Sequence, residues 1–141
     1  MTPTVYTEIF TVFQSQINDP IFNASSVREA ISFQYLLNSI PKFRRCLQDL
    51  NDRDDSNLTF NIELSLDEVQ ILGNLMVVEY LSSQIVNLSL IEQAMTSREF
   101  AMTSQANHLE KLLVLRTDRK KEISKMIVDY TYNFFGTDKL K

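Results

Sequence analysis

The stretch Ser65–Asn87 reads S-L-D-E-V-Q-I-L-G-N-L-M-V-V-E-Y-L-S-S-Q-I-V-N. It opens with Ser65 and, three residues later, Glu68, which is the spacing of a capping box. In that motif the hydroxyl and the carboxylate each pair with a backbone amide that the first helical turn leaves unpaired. The residues that follow are apolar on nearly every side of a helix, a pattern typical of a central helix with neighbours all round. We therefore predict that Ser65–Asn87 is the central helix of a helical domain.

One anion, Glu79, interrupts the apolar run. A carboxylate that is buried without a partner costs several kcal/mol. Glu79 therefore either reaches a Lys or Arg of the same chain or lies at a boundary where another subunit packs. We expect the boundary.

The composition favours one helical domain over residues 1–141. Apolar residues make up 44% of the 141, which suits a folded chain of one domain. Only two Gly and three Pro are present, so the residues that punctuate many-stranded folds are scarce. The predicted fold class is mainly α, a helical bundle.

The cysteine content and the hydropathy of the sequence indicate in which cellular compartment the protein is expected. The single Cys46 cannot form an internal disulfide, which favours a reducing compartment. No apolar run approaches the roughly 20 residues of a membrane span, and the N-terminus lacks the basic region of a signal peptide. We expect a soluble protein that is assembled inside a cell, with no membrane contact.

Helices are also predicted on both sides of the central one. Apolar residues at three- and four-residue steps indicate a helix over Thr4–Ile17. A second capping box, Ser26 with Glu29, starts another helix, and Pro41 stops or kinks it. After the central helix we predict a shorter helical piece from Leu88 to Met95, then a break at residues 96–100.

The C-terminal part predicts one long helix, Ser104–Phe134, of about 30 residues and about 45 Å. Residues 116–122 contain no apolar side chain, so this gap either faces solvent or is a turn between two helices. Gly136 predicts the helix stop, and residues 137–141 a frayed tail.

Residues 42–64 form an extended excursion. Strict alternation of apolar and polar residues predicts a half-buried strand whose apolar members are Leu58, Phe60, Ile62 and Leu64. A lone strand leaves backbone groups unpaired. It needs either Phe43–Leu50 as a hairpin partner across the acidic turn Asp49–Asn57, or an edge on another subunit. The hairpin is the favoured alternative.

Charge is divided along the chain. The net charge is −4, with −7 on residues 1–97 and +3 on residues 98–141. Opposed charges suit head-to-tail association of copies, although such asymmetry is also common on solvated surfaces. The basic run contains Arg116, Arg119, Lys120 and Lys121, interrupted by Asp118 and followed by Glu122. A helical face paired within itself is favoured over a phosphate-binding one, so we expect no sequence-specific nucleic-acid binding.

No motif for catalysis, a metal or a cofactor is recognisable. His108 is the single histidine, and no second ligand is spaced with it as metal sites require. Cys46 lies beside Arg44 and Arg45, which could lower its pKa, but no base is placed with it. We predict a protein without catalytic residues, metal or cofactor.

Three segments together resemble small virion structural proteins of tailed bacteriophages. They are L-S-L-D-E-V-Q-I-L-G-N-L-M-V-V-E-Y-L (Leu64–Leu81), S-R-E-F…S-Q-A-N-H-L-E-K-L (Ser97–Leu112) and V-D-Y-T-Y-N (Val128–Asn133). Within that class, size, helicity and acidic character are most similar to the head-to-tail connector (neck adaptor) proteins. The resemblance covers roughly residues 40–133 and includes no active-site motif.

This resemblance implies a non-enzymatic subunit that is assembled in the host cytoplasm and resides in the neck or tail region of the virion. It would form a ring, a cyclic homo-oligomer, beneath the portal protein and contact other neck or tail proteins. The candidate contact residues are Leu58, Phe60, Ile62, Leu64, Glu79, Arg116, Arg119, Lys120 and Lys121. A baseplate component is a variant within the class, and an intracellular helical regulator that binds another protein is the alternative outside it.

Overall fold

A computed structural model describes residues 2–19, 23–94, 98–99 and 104–139. The chain is mainly helical, with a small two-stranded antiparallel sheet and a long C-terminal helix, as the sequence predicts. In chain order the elements are α1 (Tyr6–Gln14), α2 (Ser25–Ser39), a 3-10 turn (Ile40–Lys42), β1 (Arg53–Asp54), β2 (Thr59–Phe60), α3 (Leu66–Ala94) and α4 (Ser104–Lys139).

The central helix is α3, and α1, α2 and α4 all pack against it. Residues 71–78 are buried without exception, so α3 has neighbours on every side there. The predicted capping box is confirmed. The Ser65 amide donates to Glu68 Oε1 at 2.7 Å, and the Glu68 amide donates to Ser65 Oγ at 3.2 Å.

The predicted end of this helix is wrong. α3 continues through Asn87 to Ala94, so Leu88 does not start a separate piece. No Gly or Pro interrupts these residues, and Ile85 and Leu88 remain buried, which continues the packing past Asn87. Met95 lies outside the described residues.

By length and composition α3 could also cross a membrane, which corrects the expectation that no segment reaches that limit. Its 18-residue window has a mean hydropathy of 1.2. However, 61% of that window is buried inside the fold, as in the core helix of a globular protein.

α4 runs antiparallel to α3 as one uninterrupted helix of 36 residues. Tyr130, near its end, contacts Glu68 at the start of α3, and Arg116 contacts Ser82 further along. Residues 116–122 therefore do not form a turn. Gly136 does not stop the helix, which includes residues 137–139; Leu140 and Lys141 lie outside the described residues. Of the predicted break at residues 96–100, only residues 98–99 are described, and they are helical.

Of the two N-terminal helices, α1 is shorter than predicted, whereas α2 ends close to the stop that Pro41 predicts. α1 occupies Tyr6–Gln14 of the predicted Thr4–Ile17. α2 begins at Ser25 with Ala24 at the N-cap and has no side-chain capping bond, so the second predicted capping box is wrong. Ser26 already lies inside the helix and cannot act as its cap. α2 ends at Ser39, and a 3-10 turn containing Pro41 follows.

The hairpin lies within the predicted excursion, but its partner strand differs. β1 (Arg53–Asp54) pairs with β2 (Thr59–Phe60), so the partner comes from the acidic segment and not from Phe43–Leu50. The turn between the strands is tight and places Leu58 at a φ of 54°. Such a short loop closes β1 on β2 locally, at lower entropic cost than a longer one.

The N-terminal segment covers the other side of β2. Thr4 donates its amide to the Ile62 carbonyl at 3.0 Å and accepts from the Phe60 amide at 2.9 Å. The Tyr6 ring meets the Phe60 ring edge-on, with centroids 4.9 Å apart, and its hydroxyl donates to Asp55 Oδ1 at 2.6 Å. Phe60 and Tyr6 are both fully buried, so this contact anchors the N-terminus to the hairpin.

At Gly73 α3 lies very close to α1. An added Cβ there would lie 2.4 Å from Val12 Cγ1 and 2.8 Å from Val12 Cβ, both far inside van der Waals contact. Only a residue without a side chain allows α1 this close to α3.

Gly73→Ala should therefore destabilise the protein by about 1–3 kcal/mol, the usual cost of overpacking, although alanine ordinarily favours a helix. Chemical denaturation of the two proteins measures this difference. Val12→Ala in the Gly73→Ala background removes the closer of the two clashes and should recover part of the loss. A stabilised Gly73→Ala protein would contradict the close crossing.

Candidate functional site

The predicted strand contributes its apolar residues to the interior of the chain. Phe60 and Leu64 are buried, and Leu58 and Ile62 are partly buried against the core. The backbone of Thr59–Phe60 is paired with β1 on one side and with the N-terminal segment on the other. These residues therefore do not present a free strand edge to a neighbour.

Glu79 has a cation within its own chain, so the expectation of an unpaired residue at a subunit boundary is wrong. Lys42 Nζ donates to Glu79 Oε1. The Glu79 side chain is 13% exposed, whereas that of Lys42 is 51% exposed. Lys42, at the end of the 3-10 turn, thus forms an ion pair with Glu79 of α3. The negative charge of Glu79 therefore has a partner within the chain.

Two of the predicted contact cations face the chain's own core. Arg119 Nη1 donates to Gln16 Oε1 at 2.7 Å and to Asn74 Oδ1 at 2.9 Å. Arg116 Nη1 donates to Ser82 Oγ at 3.3 Å. The two arginines therefore tie α4 to α3 and to the segment after α1.

Lys120 and Lys121 differ from these arginines, because both are exposed. Arg119 also lies 3.6 Å from Glu122, the spacing of a pair within the helix. Of the nine predicted contact residues, the two lysines are the ones whose side chains remain accessible to a partner without rearrangement.

A buried polar cluster joins three distant parts of the chain. The Glu68 side chain is 1% exposed. Its Oε2 accepts from the Tyr130 hydroxyl at 2.6 Å and from Cys46 Sγ at 3.3 Å, while the Tyr130 oxygen accepts from the Leu47 amide at 2.9 Å. The sequence identified Glu68 as a cap, but not as the centre of this cluster, because its partners lie 22 and 62 residues away.

The electrostatics of this cluster favour a structural role. Burial, and then the neighbouring Glu68, raise the pKa of the Cys46 thiol to about 12. Burial and the bond to Glu68 also raise the pKa of Tyr130 above its ordinary value. Both groups therefore stay protonated at neutral pH and donate to the carboxylate. Since the thiolate is the nucleophilic form of cysteine, this environment opposes nucleophilic chemistry at Cys46.

His108, the other candidate for chemistry, is exposed on α4. Within the described part of the chain, no group of three or more His, Cys, Asp or Glu side chains could hold a metal ion.

The far ends of the two long helices form a distal arm, defined as residues 86–94 of α3 and 106–115 of α4. Leu88 is the last buried residue of α3, and Leu109 is the first in α4 among the side chains described. Several large apolar side chains of the distal arm are exposed: Val86, Leu90, Ile91, Leu113, Val114 and Leu115. A surface cavity of about 760 Å³ lies on the α4 side, with Leu113, Val114 and Leu115 in its lining. Exposed apolar patches of this kind are typical of protein-binding surfaces.

No protein-family model, curated protein or solved structure matches this chain. The distal arm and the buried cluster are therefore the features from which a function can be inferred.

Tyr130→Phe should destabilise the protein by about 1–3 kcal/mol, because it removes one of the donors to the buried Glu68 carboxylate and leaves the Leu47 amide without its acceptor. Chemical denaturation measures the loss. Tyr132→Phe is the matched control, since that side chain is 61% exposed on the same helix and should change the free energy of unfolding by less than about 0.5 kcal/mol. Equal losses of unfolding free energy for the two substitutions would contradict a stabilising role of the Tyr130 hydroxyl in the buried cluster.

Because the pKa of the Cys46 thiol is raised in the folded state, we expect the free energy of unfolding to fall at alkaline pH. An unfolded chain releases the Cys46 proton near the ordinary pKa of 9.0, whereas the folded chain holds it to about 12. Between these values the folded state binds more protons, so stability falls by about 1.4 kcal/mol per pH unit from this group. Below pH 9 the contribution is fully present.

Denaturation curves between pH 8 and 11 should show a shallower alkaline decline for Cys46→Ala than for the unmodified protein. Tyr130 adds a decline of the same sign in both proteins, so the difference between them reports the thiol. Parallel declines would show that the thiol is not shielded.

Proposed function

We propose that this chain is a non-enzymatic structural subunit that works by binding other proteins through its distal arm. The observation that carries this proposal is the exposure of Val86, Leu90 and Ile91 on α3, which are 56%, 57% and 37% exposed. Leu90 and Ile91 lie beyond Leu88, the last buried residue of α3.

The folding of this chain alone does not explain why α3 continues into the distal arm. From residue 89 to residue 94 no α3 side chain is buried, although the helix continues without a break. Fixing residues in a helix costs conformational entropy that burial normally offsets. A partner that covers Leu90 and Ile91 would supply the missing burial, at roughly 25 cal/mol for each Å² of apolar surface covered.

The chemistry of the interior supports the same assignment. The thiol, carboxylate and phenol that the fold brings together are used to hold α3, α4 and the Cys46–Leu47 segment to one another. A protonated, part-buried thiol beside a carboxylate serves as a hydrogen-bond donor, which is a structural use of these groups.

Combined with the resemblance in sequence, this surface supports a specific role: a head-to-tail connector (neck adaptor) protein of a tailed bacteriophage. In this role copies of the chain form a ring beneath the portal and link capsid to tail. The internal pairing of Thr59–Phe60 argues against a docking strand, so we assign the partner contact to the arm, with Lys120 and Lys121 as accessible charges at the neighbouring part of α4.

Leu90→Asp with Ile91→Asp should abolish attachment to portal particles, because it puts two charges into the apolar part of the arm. The double variant should unfold at nearly the same temperature as the unmodified chain, since both side chains are exposed. Negative-stain imaging of purified portal particles mixed with each protein measures the attachment. Glu92→Gln, on the same exposed segment of α3, is the control and should attach normally.

Failure of the unmodified protein to decorate portal or tail particles would overturn the connector assignment. Recovery of one host protein, and no virion protein, on the immobilised chain would instead favour an intracellular regulator. In that case the same double substitution should still abolish capture if the arm is the binding surface.

A further inference from the structure

A second surface, which overlaps the α4 part of the distal arm, lies on the outer face of α4 and is defined as Asn107, Lys111, Val114, Leu115, Asp118 and Glu122. All six residues are exposed. They point away from the side of α4 that packs on α3, where Leu109, Leu112 and Ile123 are buried. Val114 and Leu115, 59% and 54% exposed, are adjacent large apolar residues at the middle of this face.

The charges on this face are arranged symmetrically about its apolar centre. Lys111 precedes the midpoint between Val114 and Leu115 by the same number of residues as Asp118 follows it. At 1.5 Å per residue, each lies about 5 Å from the midpoint along the helix, with opposite charge. Asn107 and Glu122 lie further out and are placed in the same way.

We propose that the free protein forms a two-fold symmetric dimer in which the outer faces of two antiparallel α4 helices pack together about this midpoint. In that arrangement Lys111 faces the partner's Asp118 and Asp118 faces the partner's Lys111. By the same symmetry Val114 packs against the partner's Leu115, and Leu115 against the partner's Val114, at the centre. A contact of this kind is isologous, because each copy uses the same residues.

The arrangement gives Lys111 and Asp118 ion-pair partners that they lack within the described part of the chain. Seven residues separate them, about 10 Å along a helix, which is beyond the reach of an ion pair. Over the described ranges neither has an ion-pair partner, whereas Arg119 nearby is paired with Glu122. The dimer satisfies two such pairs at once and covers four apolar side chains.

The proposed dimer does not rest on the virion assignment. An isologous contact closes at two copies and so does not by itself build a larger ring. We therefore place it in the free protein, before any assembly. The dimer face shares Asn107, Lys111, Val114 and Leu115 with the α4 part of the distal arm, but it does not include Leu90 and Ile91 of α3, the residues substituted in the portal test.

Sedimentation equilibrium of the full chain tests the dimer through the charge pair. Lys111→Asp and Asp118→Lys each replace two attractive pairs with two repulsive ones, and each should raise the dimer dissociation constant at least tenfold. The double exchange, with both substitutions in one chain, should restore it to within about threefold. Lys120→Asp, an equal change of charge on another side of α4, is the control and should leave dimerisation unchanged.

Mixing the two single variants is the decisive experiment. Each variant repels itself, but a heterodimer of the two contains two attractive pairs, so the mixture should dimerise where either protein alone does not. A monomeric unmodified protein, single variants that dimerise normally, or a mixture that stays monomeric would each overturn the proposal. Asp118 lies outside the distal arm, so Asp118→Lys should still attach to portal particles, and loss of the dimer and failure of the proposed function are therefore distinguishable.

Discussion

The buried carboxylate of Glu68 is the interaction on which the arrangement of the helices depends. One of its oxygens caps α3 through the Ser65 amide, and the other accepts from Tyr130 and Cys46. A carboxylate that is 1% exposed is tolerated only when donors surround it. The start of α3, the far part of α4 and the segment after the 3-10 turn must therefore meet at one point. This requirement fixes the antiparallel register of α4, and Arg116 and Arg119 maintain that register further along the helix.

A steric constraint complements this polar one on the opposite side of α3. Gly73 lets α1 approach closely, and Val12 occupies the space that a side chain would fill. The short α1 is thereby held between the hairpin, through Tyr6, and the first third of α3. Both constraints act in the first third of α3, at Glu68 and at Gly73. The last buried residue of α3 is Leu88, and the residues that follow it belong to the distal arm.

Sequence patterns correctly predicted the features that depend on residues close together in the chain. The capping box at Ser65 and the all-round apolar character of α3 follow from neighbouring residues, and both are present in the structure. The partner of β2, the cation for Glu79 and the donors to Glu68 come from distant parts of the chain, which periodicity does not encode. Gly73 did carry a signal, because a glycine inside an apolar helix often marks a close approach of backbones. Gly136, in contrast, resembles a helix stop by residue type alone, and α4 passes through it.

α4 divides its charges according to the face on which they lie. Arg116 and Arg119 point inward, where a guanidinium can donate to several neutral oxygens at once and so satisfy Ser82, Gln16 and Asn74. Lysine is a flexible, strongly hydrated point charge and is suited to exposed positions, which Lys111, Lys120 and Lys121 occupy. The fold thus uses its arginines to attach α4 and leaves its lysines accessible. A partner that recognises α4 by charge would therefore meet Lys111 and Asp118 without having to break any contact that stabilises the chain.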